Sequence, residues 1–180
     1  MVYLLVCQQV YMELRVPSLE FIKTTVAENT TNTDLTDVFS SKYKNYLLVV
    51  KVRDMDGSVK MNLLDASNSV IATSTYDYAY EEQDNNGSTQ TKSQDSTGGQ
   101  IGQCSTDDSD TSDSIVTIYS PNEANHTGWT FQQVSWYTKF RARVGYGVET
   151  SDTQCKGVRV VCNAAPVEIT MTVFGIKDEQ

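Results

Sequence analysis

The chain holds one histidine, His126, inside Asn122-Glu-Ala-Asn-His-Thr-Gly128. A histidine set between a serine and an aspartate can take the hydroxyl proton and so drive acyl transfer. No Gly-x-Ser-x-Gly elbow accompanies His126, and its neighbours read as a polar turn between strands. One histidine is also too few for the common histidine-based zinc sites. Asp107, Asp108, Asp110 and Asp113 form the densest carboxylate cluster, and calcium favours several oxygens on a loop. That cluster lacks the sixth-position glycine and distal glutamate of an EF-hand, and Asp54-Met-Asp-Gly57 matches only the opening of such a loop. Two carboxylates at the right separation hydrolyse glycosides, but 23 Asp and Glu scattered along the chain select no pair. The residues therefore predict no catalytic group, no metal ligand and no cofactor, and they do not identify a ligand-binding residue.

Aromatic residues offer binding rather than reaction chemistry. Tyr76, Tyr78 and Tyr80 recur at period two, which puts three rings on one face of a strand, and Trp129, Phe131, Trp136 and Tyr137 follow later. Such rings can stack on sugars, or pack a core or subunit interface, the commoner use of an aromatic stripe on a strand. Cys7, Cys104, Cys155 and Cys162 match no CxxC metal or redox spacing. Cys155 and Cys162 could face each other across a hairpin, although buried thiols are the expectation for a fold of this size. Sequons at Asn29, Asn86 and Asn125 would matter only in a secreted eukaryotic protein.

Charge narrows the partners. Against 14 Lys and Arg stand 23 Asp and Glu, a formal charge of −9, which disfavours the phosphate backbone of nucleic acid. Met1-Val-Tyr-Leu-Leu-Val-Cys7 is apolar but has no basic leader and is too short to span a bilayer, so synthesis in the cytoplasm without membrane insertion is expected. Met12 is a second plausible start. Residues 1–18 are expected to be an arm or extension outside the fold, able to add a strand to a neighbour, and residues 19–180 a single domain.

The elements that must hold these residues read as strands. Pro166-Val-Glu-Ile-Thr-Met-Thr-Val-Phe-Gly-Ile176 alternates at period two, as does Leu19-Glu-Phe-Ile-Lys-Thr-Thr-Val26. Leu35 to Phe39 predicts a short strand after a turn at residues 28–34. Asn45-Tyr-Leu-Leu-Val-Val-Lys-Val52 is apolar on successive residues, the mark of a strand covered on both faces. Asp54 to Gly57 predicts a hairpin into Val59 to Leu64. Val70 to Tyr80 reads as one long or two shorter strands. Residues 81–113 are strongly polar and predict long loop excursions, with thin strands at 89–94 and 98–104. Further strands are expected at 114–119, 129–143, 144–150, 157–162 and 167–176. With no amphipathic helix and no internal repeat, the fold class is all-β: an antiparallel sandwich, jelly-roll-like, of nine or ten strands with long polar loops.

Leu35-Thr-Asp-Val-Phe39, Tyr43-Lys-Asn-Tyr-Leu-Leu-Val49, Ser74-Thr-Tyr-Asp-Tyr-Ala-Tyr80, Ile118-Tyr-Ser-Pro121 and Val173-Phe-Gly-Ile176, in that order, resemble a β-sandwich domain of virion surface and appendage proteins of tailed bacteriophages. The resemblance covers roughly residues 19 to 177 and brings no catalytic residues. It implies a non-enzymatic structural protein located in the virion, a tail-fibre module or capsid decoration subunit. It also implies a homo-oligomer, expected as a trimer, with other virion proteins and a host surface glycan as partners and no nucleic acid. A carbohydrate-binding module or glycosidase, with Tyr76 or Trp129 on the sugar, is the rival expectation.

Overall fold

Period-two alternation dominates the computed structural model, which describes residues 18–55, 57–71, 76–84, 87–95, 98–104, 111–136 and 140–177. These residues form twelve strands and no helix: β1 (Ser18–Glu28), β2 (Asn32–Leu35), β3 (Asn45–Arg53), β4 (Gly57–Leu64), β5 (Tyr76–Asp84), β6 (Gly87–Asp95), β7 (Gly99–Cys104), β8 (Thr111–Tyr119), β9 (Thr127–Trp136), β10 (Phe140–Glu149), β11 (Gly157–Cys162) and β12 (Glu168–Lys177). They build an eight-stranded sheet in the order β1-β12-β3-β8-β9-β10-β5-β6 and a four-stranded sheet in the order β2-β11-β4-β7. All pairings are antiparallel.

The pairings are nested. β5 pairs β6, β4 pairs β7, β3 pairs β8, β2 pairs β11 and β1 pairs β12. A long hairpin wound upon itself into two sheets is the logic of a jelly roll. The β9–β10 hairpin is inserted in this nest and widens the large sheet between β8 and β5. Between the sheets, inward-facing Leu48, Val50, Met61, Leu63, Val116, Ile118, Trp129, Phe131, Val158, Val160, Met171 and Val173 form the core.

Several motif residues meet at one end of this core. The Tyr46 hydroxyl donates to Ser40 O and accepts from Ser40 N, both at 2.7 Å, while its ring meets Phe39 edge-on at 4.7 Å and Tyr43 at 5.8 Å. Gly175 lies under the Tyr43 ring, where a Cβ would collide. Ser120 N donates to Lys44 O. Phe39, Tyr43, Tyr46, Ser120 and Gly175, five of the residues that carry the resemblance, thus serve to pack the core and pin loops.

Several expectations are corrected. There are twelve strands among the described residues, not nine or ten: the thin strands expected at 89–94 and 98–104 are full sheet members, β6 and β7, and the second half of β5 and the start of β8 also lie in the polar region 81–113. Ser88, Thr89, Gln90 and Ser93 are exposed along β6, an edge strand that needs no apolar face. Asp54 (φ 51°) and Gly57 (φ 128°) do turn the chain, yet β3 and β4 are not a hairpin: the turn carries the chain from one sheet to the other. The second strand is Asn32–Leu35, upstream of the expected Leu35–Phe39. Val38 and Phe39 are buried in a loop whose amides donate to Lys156 O. From 70–80, Val70 makes a bridge to Leu64 and β5 holds Tyr76 to Tyr80, while residues 72–75 lie outside the described residues. As expected, Cys155 and Cys162 are buried thiols, not a disulfide. Cys7, Asn86, Asp107, Asp108, Asp110, Tyr137 and the 1–11 arm lie outside the described residues.

Candidate functional site

The residues singled out for chemistry are not brought together. His126 is exposed, 3.8 Å from the still more exposed Asp152, and among the described residues neither hydrogen-bonds to a serine or cysteine. Burial pushes the Cys155 thiol up to about 11, so it is a poor nucleophile at neutral pH. Among the described residues, no three His, Cys, Asp or Glu side chains are close enough to share a metal ion.

The aromatic stripe belongs to the core. Tyr76 and Tyr78 are buried, Tyr80 packs against the core, and Trp129 and Phe131 lie beneath the large sheet. The Tyr76 hydroxyl accepts from Leu63 N and donates to Ile71 O, and burial pushes its pKa up to about 12. Tyr76 and Trp129 are too deeply buried to stack on a sugar, so they are corrected from ligand candidates to packing residues.

What the fold does expose is apolar surface, nearly all in one place. Among the described residues ten large hydrophobic side chains are exposed, and nine of them, all but Val167, point outward from the eight-stranded sheet. Register across six strands from β1 to β10 gives one row of Phe21, Phe174, Leu47, Thr117, Thr130 and Tyr146. The next row is Thr24, Thr172, Val49, Ile115, Gln132 and Val144. Neither row has a charge, in a chain whose residues are 21% charged. The flanking rows add Leu19, Ile176, Tyr119 and Val148 on one side and Val26, Val134 and Ala142 on the other. Their two charges, Lys51 and Asp113, are cross-strand neighbours.

Hydroxyls on this face satisfy one another. Thr24 Oγ1 lies 2.7 Å from Thr172 Oγ1, and Tyr119 Oη lies 3.1 Å from Thr130 Oγ1. Burying them would strand few polar atoms. Stronger charges sit at the margin: hydrogen bonds from Lys177, then Lys42 and Tyr43, hold the Glu20 carboxyl down at about 2.

Toward β6 the same face dips into a trough of about 420 Å³, floored by Ala79 and walled by Val144 and Tyr146 on one side and Gln90 and Lys92 on the other. Tyr146 is the most exposed of these hydrophobics, at 63%. Sequence reasoning placed Tyr146 in a strand without singling it out, because the face it takes depends on what lies opposite: the flanking Gly145 and Gly147 make room for the Phe131 and Trp129 rings beneath, and Tyr146 points the other way. Comparison with protein-family profiles finds no match, and comparison with curated proteins finds none either.

Proposed function

We propose that the chain is a non-enzymatic structural subunit of a tailed-phage virion, an exposed tail-fibre module or capsid decoration protein that assembles as a homo-oligomer and acts by multivalent contact. One observation carries the assembly reading: among the described residues, eight of the ten exposed large hydrophobics share four nearly charge-free rows of one sheet face. Exposed apolar patches of this extent mark contact with another protein. The phage assignment rests on the sequence resemblance. Mass spectrometry of density-purified virions of the encoding phage tests it, with the chain expected at many copies per particle; particles that lack it would end the proposal. Binding to isolated heads would then favour decoration, and binding to host cells a fibre role.

The trough favours a second reading, a carbohydrate-binding module in which Tyr146 supplies the stacking ring and Gln90, Lys92 and Glu81 meet hydroxyls. A glycan array probed with the protein and with Tyr146→Ala separates the two: a defined sugar bound by the first and lost by the second would establish binding.

A further inference from the structure

We infer that the outer face of the eight-stranded sheet is closed by the same face of a second copy, giving a two-fold pair rather than the expected trimer. This rests on the assembly reading and names its partner. β3 reads in sequence as a strand covered on both faces, yet within one chain only Tyr46, Leu48, Val50 and Val52 are buried, while Leu47 and Val49 on the other face are only half-covered. Six strands about 4.8 Å apart and four residue rows make a face of roughly 800 Å², about what each partner contributes to a stable interface.

The partner face follows by elimination. A ring contact joins two different surfaces and needs a second apolar patch. Among the described residues the only exposed large hydrophobic off this face is Val167. Among the described residues a second copy can match the face only with its own, and such a contact closes as a pair. The apolar residues 1–11 are no substitute, since an added strand covers a width of about 5 Å on a face six strands wide. Charge sets the sign of the salt effect: subunits of −9 repel, and the central rows hold no charge to pair across the contact. Added salt should therefore tighten association.

Sedimentation equilibrium of the full chain from about 0.1 to 100 µM provides the test, at low and high salt. A two-copy mass is expected, tighter at high salt. Ile115→Glu and the near-isosteric Gln132→Glu should each weaken association at least about 100-fold with unchanged circular dichroism, and Val167→Glu should not. A monomer throughout, a three-copy mass, indifference to Gln132→Glu, or loss of association on deleting residues 1–11 would each overturn the inference. If the chain is monomeric in solution yet abundant in virions, the inference fails and the structural role stands. If it pairs as described but is absent from virions, the reverse holds.

Discussion

Replacing Trp129 by alanine is expected to destabilise the fold by about 4 kcal/mol, measured as the shift in free energy from denaturant unfolding. The ring is 1% exposed and packs 6.1 Å from the Tyr76 ring. It is slotted between Gly99 of β7 and Gly147 of β10, on either of which a Cβ would overlap the indole. Its Nε1 has no hydrogen-bond partner among the described residues, so packing alone holds it. Gly147 is directly opposite Trp129 in the β9–β10 register, as Gly145 is opposite Phe131. Each ring covers the glycine across from it, a known way of stabilising glycine in a sheet. Gly147→Val should cost about 3 kcal/mol in the native background by overpacking, and clearly less when Trp129 is already alanine. Effects that add within about 0.5 kcal/mol would show that ring and glycine are not coupled.

The second large effect is expected at the polar end of the core. Arg143 is buried, its side chain 3% exposed, with Nε donating to Glu82 Oε2 at 2.6 Å, Nη2 bonded to Glu82 and to Gln103, and the guanidinium 5.1 Å from the Tyr80 ring. Removing one member of a buried pair leaves an uncompensated charge in a low-dielectric setting. Glu82→Ala should cost about 3 kcal/mol, the low end of the range for breaking a buried pair, because Glu82 is 18% exposed and water can partly take its place. Replacing both charges by apolar residues of similar size, Glu82→Leu with Arg143→Met, should recover most of the loss in thermal or denaturant unfolding. If Glu82→Ala alone is nearly neutral, Arg143 is better solvated than the structure shows.

These two sites show what the sequence discloses and what it hides. Alternation is a local property, so β1, β3, β8 and β12 were legible, as was the antiparallel sandwich class. β6 was legible only as a thin strand at 89–94, because Gly87-Ser-Thr-Gln-Thr-Lys-Ser-Gln-Asp95 is an edge strand with no apolar stripe to mark its full length or its place in the large sheet. The turn at Asp54–Gly57 was legible, but turn chemistry does not say which sheet receives the next strand. For Tyr76, Tyr78 and Tyr80, period two placed the rings on one face without saying which face is wet. The candidate surface was half visible: Leu47 and Val49 marked β3 as covered twice, but only register across β1 to β10 shows that their neighbours extend the same apolar rows.

The most direct measurement is hydroxyl-radical footprinting of the full chain at low and high concentration, read residue by residue. Phe21, Ile115, Val144 and Tyr146 should lose reactivity together as concentration rises, while Val167 and His126 keep theirs. Equal reactivity of the sheet face at both concentrations, in a preparation that nonetheless self-associates, would contradict the claim that this face is what the protein uses.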